Sequence, residues 1–308
     1  MTPQNKLDTG CGIVAVIIWS ASICLSRSLM EKVGMFTAAG AIYTLSGGLS
    51  LLFYLLVMPR RGGADAARPS GKHMVVFGVP FVLYMVCLYT AVGLARNRQQ
   101  VIEVGLLNYL WPTLTLLLSI PILKKRANLW LPVGAVTAFA GALLASLSMN
   151  NLHFTVQELW RNFASNRWPY LLALAAAALW ALYSNLVSRH ARHSSPYGVP
   201  VFLLASGLAL ESFRIFFPEE SHWNAAAFVE LGVMVLFPCI AANVLWIRAM
   251  RRGNLVLVAS FAYFAPLIST VLSGLYLGVS LTVGVFCAGA MVVAGALISR
   301  SSLKDKLV

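Results

Sequence analysis

Two carboxylates are the first residues with chemistry to offer: Glu103 and Glu211 both fall well inside long apolar runs. A charge at the middle of hydrocarbon costs about 3 kcal/mol on insertion scales, so a carboxylate kept there points to function. Glu211 stands one helical turn before Arg214, the spacing of a structural ion pair. Glu103 is a candidate proton relay, with pairing to the nearby Arg96 and Arg98 as the alternative. The five histidines, His73, His153, His190, His193 and His222, fall at the edges of the runs or between them. His190 and His193 are spaced i, i+3, but no carboxylate or cysteine stands beside them to complete a metal site. The three aspartates, Asp8, Asp65 and Asp305, lie outside the runs, and no HExxH motif occurs. An enzyme is therefore not expected, and neither is a metal or a cofactor. The five cysteines sit in apolar runs or at their edges without a CxxC pair, which reads as small buried residues rather than a disulfide framework.

Neutral polar and aromatic side chains are the richer set. Trp19 and Ser22 share a helix face at i, i+3, and Trp180 and Tyr183 do the same. Tyr89 and Asn243 are equivalent at an offset of 154 residues, with Trp246 one turn beyond. Asn108, Tyr109 and Tyr263 flank two prolines, Pro112 and Pro266. An amide facing lipid would be left unsatisfied, so Asn108 and Asn243 are expected to face inward, to bind a ligand or to join helices. Aromatic groups near mid-depth suit cavity walls, whereas those near the interface suit anchoring. Together these ten residues form the candidate substrate site. Aromatic walls with a few amides and hydroxyls and few fixed charges suit an amphipathic zwitterion.

The elements that must carry these residues are membrane helices. The 308 residues are 59% hydrophobic and 11% charged, with mean hydropathy +0.78. The apolar content comes in runs of about 20 residues, the length of a spanning helix. Ten runs are expected, near 10–29, 35–58, 73–95, 100–122, 130–149, 168–189, 198–217, 228–250, 255–277 and 281–299. The fold class is an all-α membrane protein. The net charge of +13 does not imply nucleic acid, because the basic residues cluster in short links with no continuous basic face. With the N-terminus inside, 16 of the 23 Lys and Arg residues fall on the inner side, so both termini are expected in the cytoplasm. The outer link HFTVQELWRNFASNRW, residues 153–168, has helical apolar spacing, read either as a helix lying on the outer leaflet or as a solvated linker. The expected partners are the lipid bilayer and a small-molecule substrate.

A duplication explains the prolines. NYLWPTLTLLLS (108–119) matches AYFAPLISTVLS (262–273), aligning Tyr109 with Tyr263 and Pro112 with Pro266. GLARNR (93–98) aligns with IRAMRR (247–252) at the same offset, VGAVTA (133–138) with VGVFCA (283–288), and IIWS (17–20) with ALWA (178–181). Two five-span repeats follow, 10–149 and 168–300, joined by a linker at 150–167. An odd number of spans inverts the second copy, and exchange between inverted halves opens one central site to each face in turn. Pro112 and Pro266 are then paired hinges, because an interior proline removes a helical hydrogen bond and bends the helix. Small residues four apart, Gly134/Ala138 and Gly284/Ala288, predict close helix packing. With both halves in one chain, a monomer suffices.

On these residues the chain resembles the drug/metabolite transporter superfamily, specifically ten-span exporters made from two EamA-type repeats. The marks are the W…S/N…R first spans, the x-x-A-x-x-R links before spans four and nine, and the Tyr-x-x-Pro pair. The stretch QQVIEVGLLNYLWPTLTLLLS (99–119) is similar to aromatic amino acid exporters of the YddG type. The resemblance implies an inner-membrane exporter of amino acids, aromatic ones or related small metabolites, with a central cavity lined by both halves. Two other readings stay open: a multidrug-type exporter of hydrophobic cations, which would want an embedded carboxylate, and a channel or non-transporting scaffold.

Overall fold

The protein is described from a computed structural model, which covers residues 3–57, 71–150, 156–190, 198–277 and 283–304. Its helices are α1 (Pro3–Val33), α2 (Met35–Val57), α3 (Gly71–Gly93), α4 (Arg98–Asn108), α5 (Trp111–Leu123), α6 (Trp130–Asn150) and α7 (Val156–Ser165). They continue as α8 (Trp168–Arg189), α9 (Gly198–Phe213), α10 (Ala225–Met234), a π-helical segment Val235–Ala241, α11 (Ala242–Arg252), α12 (Leu255–Ala262), α13 (Ala265–Leu277) and α14 (Val283–Ser301). A helix bonds its backbone internally, which is why hydrocarbon selects it. Five stretches among the described residues are long and apolar enough to cross a membrane: Met35–Leu56, Gly71–Gly93, Glu103–Leu123, Trp168–Arg189 and Ala225–Arg252. Trp130–Leu144, Gly198–Phe213 and Cys287–Ser301 are shorter apolar helices.

The departures from expectation have local causes. Runs four and nine, expected to bend at Pro112 and Pro266, are each broken in two just before the proline, and run eight contains the wide π-turn. Run one belongs to a longer helix that begins at Pro3, so Asp8 lies within α1 and is fully buried. There it accepts from Arg248 Nε at 2.6 Å, a partner 240 residues away. The all-helical expectation also misses a two-residue antiparallel pair, β1 (Arg126–Ala127) with β2 (Leu303–Lys304). Glu211 and Arg214 form no ion pair among the described residues; only their backbones meet, Arg214 N–H donating to Glu211 O. His193, His153, Asp65 and Asp305 lie outside the described residues.

Two compact units make up the chain, and they do not coincide with the repeats. One takes Met1–Tyr89 and Leu186–Gly253; the other takes Thr90–Asn185 and Asn254–Val308. Each therefore draws helices from both halves of the sequence. The first unit is organised on α2 against α9. A Cβ on Gly47 would fall 2.6 Å from the Leu204 Cα, so only glycine permits this approach. The acidic link after α9 closes one end of this unit: Glu219 accepts from the Phe36 and Thr37 N–H groups at 2.9 and 2.8 Å, capping the start of α2. The second unit is organised on α6 against α14, where a Cβ on Gly295 would fall 2.7 Å from the Ala138 Cα. The small-residue signal at Gly134/Ala138 thus meets Gly295, and Ala288 of the second pair is fully buried, its carbonyl oxygen 2.8 Å from where a Cβ on Gly141 would fall.

Candidate functional site

The second unit carries both broken helices. Asn97 caps α4 by accepting from Gln100 N–H at 2.8 Å, and Asn254 caps α12 by accepting from Leu257 N–H at 3.0 Å. Helix α4 ends at Asn108, Tyr109 and Leu110 turn, and Trp111 and Pro112 start α5. Helix α12 ends at Ala262, Tyr263 and Phe264 turn, and Ala265 and Pro266 start α13. The cause is the same in both. A proline in the first turn of a helix has no N–H to give the carbonyl four residues back, so the preceding helix cannot run through it. Tight i+3 bonds close each turn: Leu110 N–H to Leu107 O at 3.1 Å, and Phe264 N–H to Phe261 O at 2.9 Å.

Around the first break the polar atoms are open. The buried Asn108 Oδ1 has no hydrogen-bond partner among the described residues. Tyr109, half-buried, has no side-chain hydrogen bond among the described residues. Around the second break the tyrosine is closed, although the buried Ser260 Oγ, three residues earlier on α12, has no hydrogen-bond partner among the described residues. Tyr263 is 1% exposed, and its hydroxyl lies 2.7 Å from Thr113 Oγ1, in the first turn of α5. The two breaks are thus bonded directly. Trp180 and Tyr183 on α8 are both buried, with ring centroids 5.5 Å apart, and Trp111 meets Trp180 edge-on at 6.4 Å. Asn185, which the sequence did not single out, is fully buried and donates to Thr115 O at 3.0 Å and to Ala181 O at 2.9 Å. It fixes α8 to α5 just below the first break. Its own Oδ1 is left without a partner.

Glu103 is 2% exposed on α4. It accepts from the Tyr170 hydroxyl and from Asn162 Nδ2, the latter at 3.0 Å. Neither of these two partners is an arginine; Glu103 has further interactions besides them, and the Arg98 side chain lies outside the described residues.

The other candidates belong to the first unit and gather on the π-turn. Pro238 inside that segment widens the helix and frees carbonyls. Trp19 Nε1 donates to Pro238 O at 2.8 Å, and Asn243 Nδ2 donates to Cys239 O at 2.8 Å. Trp246, 1% exposed, packs 5.3 Å from the Trp19 ring. The hydroxyls of Tyr43 and Tyr89 are 3.2 Å apart, and the Cys239 thiol lies against Tyr43 and Ser46. Ser22 bonds its own helix at Trp19 O, 2.9 Å away. Tyr43 and Cys239 were missed from sequence because a tyrosine and a cysteine in apolar runs carry no spacing signal. His73 and His190 meet with rings 6.1 Å apart, flanking Phe77; no group of three metal-capable residues occurs among the described residues.

Comparison with known proteins agrees with this architecture. A solved crystal structure superposes with a TM-score of 0.78 over 95% of this chain and 96% of that one, at 24% identity, a likeness of fold. The aromatic amino acid exporter YddG of Salmonella typhimurium is 30% identical over 97% of each chain. That of Escherichia coli K12 is 31% identical over 96% of each. The profile of the EamA-like transporter family matches twice, over residues 10–147 and 167–301. With a double match across most of the sequence and relatives alike along nearly its full length, the chain belongs to the EamA-like transporter family, and it is a transporter rather than an enzyme.

Proposed function

We propose that this multi-pass membrane protein is an inner-membrane exporter of amino acids, aromatic ones among them, working by alternating access. In this reading the ten spans form two inverted repeats, 10–149 and 168–300, with the linker 150–167 periplasmic and both termini cytoplasmic. Pro112 and Pro266 serve as hinges. The observation that carries it is the first break, where an acceptor at Asn108 Oδ1 and the Tyr109 hydroxyl have no partner among the described residues. The end of α4 and the start of α5 present opposite partial charges, which suits a zwitterion. Trp180, Tyr183 and Trp111 supply aromatic wall beside it. Trp19, Ser22, Tyr89, Asn243 and Tyr263 serve as supports, since the hydrogen bond named for each ends on protein, and Trp246 packs on Trp19. Names of relatives that export aromatic amino acids support the substrate class.

Counterflow in proteoliposomes loaded with phenylalanine, tyrosine, tryptophan or an aliphatic amino acid tests this. Saturable, aromatic-preferring exchange is expected. No accumulation of any amino acid would remove the substrate assignment. Both Glu103 oxygens already accept hydrogen bonds, which argues for a structural carboxylate over a proton relay or a cation site. Glu103→Gln keeps substantial transport under this reading. Loss of transport with binding and folding intact would restore the relay.

A further inference from the structure

We infer that α7 is a phospholipid-binding surface, with Trp160, Arg161 and Arg167 engaging the headgroups of the leaflet that α8 enters. The helix is held in one rotation. Asn162 donates to Glu103 at 3.0 Å, and Asn166, just past the helix, donates to Leu94 O at 2.8 Å and to Gln100 Oε1 at 3.2 Å. Phe163 meets Tyr170 edge-on at 5.6 Å. Those contacts take up one side of α7. Trp160 lies at the edge of that side, its ring 5.7 Å from that of Phe163, and is still 69% exposed, with Arg161 exposed next to it.

An exposed tryptophan on a pinned, short amphipathic helix wants an apolar environment with water at its edge, which a bilayer interface provides. Continuity with α8 shows which surface that is. Trp168, Leu171 and Leu174 are 59%, 44% and 40% exposed and form one stripe at helical spacing down a helix of membrane-spanning length. Trp168 heads that stripe, and the Arg167 guanidinium sits 5.8 Å over its ring. An arginine stacked at the head of an apolar stripe has its charge where lipid phosphates lie. Charge favours the same occupant: residues 156–168 hold two arginines against one acid, Glu158. Guanidinium groups match phosphate oxygens in geometry, and each basic residue near an anionic surface adds about fivefold to its affinity.

The test places an environment-sensitive fluorophore at Trp160→Cys, and in a second protein at Leu171→Cys, both in a cysteine-depleted full-length background. Vesicles of phosphatidylcholine carry a nitroxide either on the headgroup or at the end of the acyl chain. The label at 171 reports insertion of the bundle and is quenched from the acyl chain. The label at 160 is expected to be quenched severalfold more by headgroup nitroxide than by chain-end nitroxide. Replacing part of the phosphatidylcholine by spin-labelled phosphatidylglycerol strengthens quenching at 160. Arg161→Gln with Arg167→Gln removes that preference, by about fivefold per arginine at low salt. Quenching at 160 by aqueous iodide with none by lipid, while 171 behaves normally, overturns the proposal. An unchanged phosphatidylglycerol preference in the double variant overturns the role of the arginines.

Discussion

The two broken helices share a cause and differ in use. Both carry Tyr-x-x-Pro at the same offset, and both close their turn with an i+3 bond. Around Pro112 the sequence is Asn-Tyr-Leu-Trp-Pro-Thr; around Pro266 it is Ala-Tyr-Phe-Ala-Pro-Leu. Tyr263 spends its hydroxyl on Thr113, but the position equivalent to Thr113 is Leu267, so the bond has no mirror image. Tyr109 consequently keeps its hydroxyl. Duplication preserved the backbone device, which needs only the missing proline N–H. The polar atoms diverged: the tyrosine hydroxyl of the second break is bonded, though Ser260 Oγ before it is not, whereas at the first break both the amide oxygen and the tyrosine hydroxyl lack a partner among the described residues. A residue's equivalence within the repeat is thus a guide to backbone shape and a poor guide to ligand contact.

Removing the shared feature should have the largest effect. With Pro112→Ala or Pro266→Ala, the restored N–H lets the two helical segments join, favouring one conformation. Turnover in proteoliposomes is expected to fall roughly tenfold or more while substrate affinity changes little, because alternation needs both states populated. Wild-type turnover in both variants would show that the breaks are static. Next comes the first break's own chemistry. Asn108→Ala is expected to weaken substrate binding by about tenfold, near 1.4 kcal/mol, read by calorimetry or competition. An equal loss in Tyr263→Phe would erase the distinction between the two breaks.

Smaller still is the bond between them. Thr113→Val and Tyr263→Phe should each lower thermal stability in detergent by about 1 kcal/mol. Because they remove the same hydrogen bond, the double variant should be no worse than the more damaging single one. Additive losses would mean the bond is incidental. Tyr109→Phe should sit at the bottom of the scale, within about 0.5 kcal/mol of wild type in stability, since its hydroxyl bonds nothing among the described residues. Any sizeable effect should appear in substrate affinity instead.

Which parts of this were legible beforehand follows from how far each signal reaches along the chain. Helix breaks at 109–110 and 263–264 were announced by proline and by the repeat, both visible within a dozen residues. The amphipathic α7 was visible for the same reason. The role of Asn243 was not. Its amide serves a π-turn in its own segment, and a wide turn is not distinguishable from an ordinary helix by periodicity. Asp8 looked like a residue before the first span; its partner Arg248 is 240 residues away. Glu230, near the start of run eight, also escaped notice, although it accepts from Lys32 Nζ at 2.6 Å and Ser28 Oγ at 2.8 Å.

By itself the sequence determined the class of protein, the duplication and the position of both helix breaks. Those rest on hydrocarbon's demand for internally bonded backbone and on proline's missing donor, which act locally. Only the tertiary structure decided which polar side chains are already used and which remain available. Trp19 is committed to Pro238 O, 219 residues on, and Tyr263 to Thr113, 150 residues back, whereas Asn108 Oδ1 is committed to nothing. A hydrogen bond between distant segments forms when helices pack closely enough to bring donor to acceptor, and no local pattern of residues records that approach.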